Sequence, residues 1–166
     1  MVNKGQMLSV SYFRILLWGL LVMHNFLPAG TASCPKGWLS YFSNCYGLFP
    51  EQMTREEAKE ECQSIGQGGH LASILSDQEL AMVTRYITTQ FKGVGNVWIG
   101  LKDRWRIRRW KWDDGSKTTD LHWTSGVPSI FTGSKYCAYM IELEDYKTWR
   151  DADCSEEYAF LCKMKS

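Results

Sequence analysis

Six cysteines, all placed after an apolar leader, constrain this chain more than any other feature. In the leader, Lys4 and Arg14 are the only charged residues, and a nine-residue apolar run follows from Ile15 to Met23. His24, Asn25 and Pro28 interrupt it, and Ala29, Gly30, Thr31 and Ala32 are small. Basic, apolar and small-residue zones in that order predict a secretory signal peptide over residues 1–32, cleaved after Ala32 or Gly30. A bilayer-spanning helix needs about 20 apolar residues. No transmembrane anchor is therefore expected, and the rival type II anchor would also lack a stalk before Cys34. An even cysteine count behind a signal peptide reads as a disulfide framework in an oxidising compartment. Cys34, Cys45, Cys62, Cys137, Cys154 and Cys162 allow many pairings, and the residues alone select none. A zinc site is disfavoured, because there is no C-x2-C pair and His70 and His122 lie far from any cysteine pair. There is no Asn-x-Ser/Thr sequon.

Without Lys4 and Arg14, residues 33–166 carry 17 basic against 18 acidic side chains. Such a balance gives no general attraction to nucleic acid or to an anionic membrane, so any attraction must be local. Residues 34–49 read as two short strands, with Trp38, Tyr41, Phe42, Tyr46 and Phe49 as strand formers and Ser43-Asn44 as the turn. Thr54 with Glu57 is a capping box. It opens a helix whose Ala58, Cys62 and Ile65 face inward while Arg55, Glu56, Lys59 and Glu60 face water. Ser76 with Glu79 predicts a second capping box, before an apolar stripe of Leu80, Val83, Ile87 and Phe91. Val97–Leu101 is apolar throughout and reads as a buried strand. Residues 116–135 show little periodicity and read as a long surface loop. Strands are expected at 137–141, at 147–149 and from Tyr158 to Lys163. The sum is α+β: two helices, short antiparallel sheets and an irregular, loop-rich half.

A series of short motifs then carries a resemblance: Cys34-Pro35-Lys36-Gly37-Trp38, Cys45-Tyr46, Ala58 with Cys62, His70–Ile74, Trp98-Ile99-Gly100-Leu101, Trp110, Trp112-Asp113-Asp114-Gly115, Cys137, Trp149, Cys154 and Phe160-Leu161-Cys162. In this order and spacing they resemble the C-type lectin-like family, over residues 34–166. The single-domain secreted type is most similar, as in regenerating/pancreatic-stone proteins and snake-venom C-type lectins. The resemblance implies the pairs Cys34–Cys45, Cys62–Cys162 and Cys137–Cys154. It also implies no interchain disulfide, because the extra cysteine that linked venom dimers carry near Lys117 is missing.

Sugar-binding members of that family hold Ca²⁺ with a Glu-Pro-Asn loop, a following glutamate and a Trp-Asn-Asp strand. The matching positions here are Val127-Pro128-Ser129, Lys135 and Trp149-Arg150-Asp151. Calcium needs six to eight oxygen ligands. Val127 offers no side-chain oxygen, Ser129 only a hydroxyl, and Lys135 and Arg150 bring positive charge. Two unit charges about 4 Å apart repel by about 4 kcal/mol at an effective dielectric near 20, and a divalent ion doubles that. Asp151 is the one strong ligand left, expected to pair instead with Arg150 or a loop amide, and Asp120 is a lone further oxygen. The site is expected to work without calcium, and no other cofactor is implied.

The strongest candidate surface is the segment Lys102–Lys111, which puts Lys102, Arg104, Arg106, Arg108, Arg109 and Lys111 among Trp105, Trp110 and Trp112 with a single acid, Asp103. Trp110 and Trp112 read as core. The arginines suit sulfate, phosphate or carboxylate, and an exposed tryptophan face suits a sugar ring. In a hairpin, residues 104, 106 and 108 would share one face. No paired-carboxylate or nucleophile signature points to an enzyme. The expected function is secreted, calcium-independent recognition of glycans or glycoproteins, most simply sulfated, acidic or microbial polysaccharide. The alternative is a ligand that docks on a protein receptor without binding sugar.

Overall fold

A computed structural model describes residues 33–66, 68–119, 121–128 and 133–166. The proposed leader, together with Asp120 and Ser129, lies outside the described residues. Leu39–Tyr41 (β1) and Asn44–Thr54 (β2) make the first hairpin. Its turn falls on Phe42 and Ser43 rather than on Ser43-Asn44, and Phe42 takes a positive φ of 49° while 85% exposed. Helix α1 follows at Arg55–Ser64, with the predicted reciprocal capping by Thr54 and Glu57. After a two-residue strand, His70–Leu71 (β3), helix α2 covers Asp77–Gln90. The remaining strands are Val97–Lys102 (β4), Lys111–Trp112 (β5), Lys135–Met140 (β6), Trp149–Asp153 (β7) and Glu157–Lys165 (β8).

The strands form one sheet in the order β1-β2-β8-β4-β6-β7, with β3 against β8 and β5 against β4. Each pairing is antiparallel, as expected, except β4 with β8, which runs parallel. That central position explains the unbroken apolar run of β4. Side chains alternate between faces along a strand, and both faces are covered. Val97, Ile99 and Leu101 join the core built on Leu80, Val83 and Ile87 of α2, while Trp98 joins the one built on Ala58 and Cys62 of α1. Gly100 sits in the same strand because a Cβ there would stand 2.5 Å from the Leu71 carbonyl oxygen.

The disulfides are Cys34–Cys45, Cys62–Cys162 and Cys137–Cys154, the pairs implied by the resemblance. Cys62–Cys162 joins α1 to β8 across 100 residues of sequence. In the chain-entropy account a loop of that length confers about 4.7 kcal/mol. The loop-rich half is organised by aromatic rings. Trp149 is fully buried, with Trp112 and His122 at 5.4 and 5.1 Å between ring centroids, and Trp123 packs on Trp110 at 4.7 Å. Trp110 and Trp112 are thus core residues, as read from the sequence.

Two polar features depart from the sequence reading. Arg55, expected to face water, is 1% exposed; its guanidinium pairs with Asp113 at 2.5 Å and its Nε finds no acceptor. The second capping box is only half formed. Ser76 accepts the Glu79 N–H at 3.2 Å, but the Glu79 carboxylate turns inward. There it accepts from the Leu75 N–H at 2.8 Å, from the Tyr46 hydroxyl, and from Lys163 Nζ at 2.7 Å. Burial, and then Glu79, push the Tyr46 phenol pKa up.

Candidate functional site

The basic segment is neither a strand nor a loose loop. Residues 103–110 form a string of turns, in which Arg106 and Arg108 take positive φ of 59° and 65°. The organiser is Asp103, read in the sequence only as the segment's lone acid. It is 1% exposed, its N–H donates to the Tyr136 carbonyl at 2.9 Å, and its carboxylate accepts the N–H groups of Ile107 at 3.3 Å and Arg108 at 2.8 Å. The buried carboxylate thereby holds the turns together, as local side-chain-to-backbone bonds of aspartate do, while the Asp103 backbone N–H ties them to β6.

This geometry corrects the expectation that residues 104, 106 and 108 share one face. The turns divide the cations. Arg106 lies over the Tyr136 ring at 4.7 Å and adds a small attraction to the hydrogen bonds from Ser134 and Ser155 that lower the Asp153 pKa. Lys102, Arg104 and Lys111 line a cavity of about 540 Å³ between the segment and α1. Trp105, 58% exposed, and Trp112 help to wall it, and α1 contributes Arg55, Glu56 and Lys59. The lining carries five cations against two carboxylates, Glu56 and Asp113. Lys102 and Lys111 are direct cross-strand partners on β4 and β5. Like charges so placed repel. Glu56 offsets part of that repulsion, accepting from Lys59 Nζ at 2.9 Å and Lys102 Nζ at 3.5 Å. The hydrogen bond from Lys59 holds its pKa below the usual carboxylate value against the opposing effect of burial, with smaller attractions from Lys102 and Arg55. Arg104 and Lys111 have no acidic partner among the described residues.

The positions matching a sugar-binding calcium loop lie elsewhere. Val127-Pro128 is a cis peptide, Lys135 begins β6 opposite Asp153, and Arg150 is exposed on β7, beside Tyr139. Asp151 is buried at 5% exposure, and its Oδ2 has no hydrogen-bond partner. The expected pairing of Asp151 with Arg150 or a loop amide is therefore not found at Oδ2. No group of three His, Cys, Asp or Glu side chains among the described residues could hold a metal. The matching described positions thus offer one strong carboxylate, Asp151, where a calcium shell takes six to eight oxygens.

The lectin C-type domain model matches residues 51–164. The chain belongs to the C-type lectin family. A C-type lectin of Cerberus rynchops is 37% identical over 91% of this chain and 96% of its own. A protein of Pseudechis australis named as a galactose-binding isoform is 34% identical, covering 92% and 98%. Among solved structures, human lithostathine superposes with a TM-score of 0.79 at 34% identity, covering 84% and 96%. Like its family, this lectin domain is a binding protein and not an enzyme. Among the described residues no helix is long and apolar enough to cross a membrane. Lys59, Glu56 and Arg55 of the cavity escaped the sequence reading, because helical periodicity says which residues share a face but not which strand that face meets.

Proposed function

We propose that this domain is a secreted lectin that holds acidic glycans in the cavity between α1 and the basic segment, without calcium at the usual sugar site. One observation carries the reading: five cations and an exposed tryptophan line one cavity in a domain of almost no net charge. Guanidinium and ammonium groups supply charge-assisted bonds to sulfate or carboxylate, and the Trp105 face gives a sugar ring an apolar platform. The names of similar proteins as galactose- and mannose-binding isoforms support a carbohydrate ligand. The poor donor set around Asp151 supports calcium independence. Sulfated host glycans and acidic microbial polysaccharides offer the same chemistry.

Chromatography on immobilised heparin in the presence of chelator tests the reading. Screening shortens from a Debye length of about 10 Å at 0.1 M salt to about 3 Å at 1 M, so the wild type should be retained at low salt and released as salt rises. Arg104→Ser with Lys111→Ser should elute earlier with an unchanged circular dichroism spectrum. Flow-through of the wild type at low salt, or retention only when calcium is added, would overturn it.

A further inference from the structure

The cavity already contains an anion of its own. Glu56 is 54% exposed at its side chain and bridges Lys59 and Lys102, while the facing Lys111 and the neighbouring Arg104 are left without an acidic partner. We infer that Glu56 is a built-in competitor that tunes this site, so that the domain selects glycans bearing several anionic groups on neighbouring sugars over singly charged ones. The inference rests on the acidic-glycan reading and adds to it the ligand's charge count and the residue that sets it.

The argument is one of exchange. An incoming group with a single negative charge that reaches Lys59 and Lys102 replaces a carboxylate already tethered there. The count of ion pairs hardly changes, and the ligand still loses its free translation and rotation. A glycan with two or more adjacent charges is different. It can engage Lys111 and Arg104 whether or not Glu56 yields, and each contact made there is new. Trp105 fixes the sugar ring but contributes no charge selectivity, so the discrimination falls on the balance between Glu56 and the cations around it. Arg55 does not enter the exchange, because Asp113 already holds its guanidinium within the fold.

Glu56→Gln is the informative variant, because it keeps the shape and removes the charge. Glu60→Gln is its control. Glu60 is on the same helix but lines a separate depression with Glu57, Glu61 and Glu157, so net charge changes equally without touching the cavity. Titration calorimetry would use a heparin tetrasaccharide and galactose 6-sulfate as the singly charged probe. The wild type should bind the tetrasaccharide and not measurably the monosulfate. Glu56→Gln should tighten tetrasaccharide binding about two- to five-fold, the range set by freeing an exposed ion pair. It should also steepen the fall of affinity with salt, as each freed cation adds an ion pair with the polyanion. Glu60→Gln should change little. Glu56→Ala serves as a second variant should the first melt early, since the side chain supports no buried contact. If Glu56→Gln binds no tighter than Glu60→Gln, or the monosulfate binds as well as the tetrasaccharide, the inference fails and the acidic-glycan reading survives. If the wild type binds neither probe, both fall.

Discussion

Replacing Lys163 with methionine should cost this domain much of its stability although no ligand is near. Lys163 and Glu79 are 6% and 8% exposed at their side chains, with Nζ and Oε1 2.7 Å apart. Nζ also donates to the Ser73 carbonyl at 2.9 Å and hydroxyl at 3.1 Å, and lies 5.2 Å from the Tyr46 ring. Methionine fills the volume of the lysine stem but strands the Glu79 carboxylate. Breaking a buried pair from one side costs about 3–5 kcal/mol. The Tyr46 hydroxyl and the Leu75 N–H still donate to Glu79, which points to the lower end, about 3 kcal/mol. For a domain of this size, that lowers the melting temperature by about 12 °C. Thermal and guanidinium unfolding would measure it. Adding Glu79→Gln to Lys163→Met should regain most of the loss, because the amide oxygen can still accept from the Leu75 N–H while its NH2 donates to the Tyr46 hydroxyl, with no charge left buried. A loss under about 1 kcal/mol for Lys163→Met, or a double variant as unstable as the sum of its singles, would refute the reasoning.

Three further outcomes are expected. Asp103→Ala removes no cation, yet it should weaken heparin retention as the turns of 103–110 unravel, with a local cost of about 3 kcal/mol for two bonds to a charged acceptor; unchanged retention would show that the cations act without being positioned. Melting in millimolar calcium and in chelator should coincide, since a ligand at one hundred times its dissociation constant would add about 2.7 kcal/mol, and an upward shift abolished by Asp151→Asn would contradict this. Hydrogen bonds from the hydroxyl of Ser134, and from the backbone and hydroxyl of Ser155, hold the Asp153 carboxyl at about 2, and Lys59 lowers Glu56 in the same direction. A carboxyl depressed in the folded state stabilises above its unfolded value and loses that contribution as pH falls through the folded one, so melting should fall below about pH 4, and less steeply in Asp153→Asn.

The fold was legible because its signals are local or ordered. The alternation of helical stripe, capping box and apolar β4 run gave the elements, and the family resemblance implied the disulfide pairing that the structure contains. The turn at Phe42 was misplaced by one residue, because asparagine is a better turn former than phenylalanine, whereas Asn44 is held in the sheet opposite Tyr41 of β1 and Lys165 of β8. At the site, the charge cluster was visible but its division was not. Positive φ at two arginines is not what propensity predicts, and it follows here from the bonds to Asp103. Glu79 read as a cap residue and Lys163 as the end of the last strand; only the meeting of α2 with β8, 84 residues apart, makes them a buried pair.

The most direct measurement of the central claim is a titration of the isotopically labelled mature domain with a heparin tetrasaccharide in chelator, followed by NMR. Shifts should concentrate at Lys102, Arg104, Lys111, Glu56 and Lys59 and at the Trp105 indole N–H, and saturate together. Shifts centred instead on Val127, Arg150 and Asp151, or appearing only with calcium, would contradict the account.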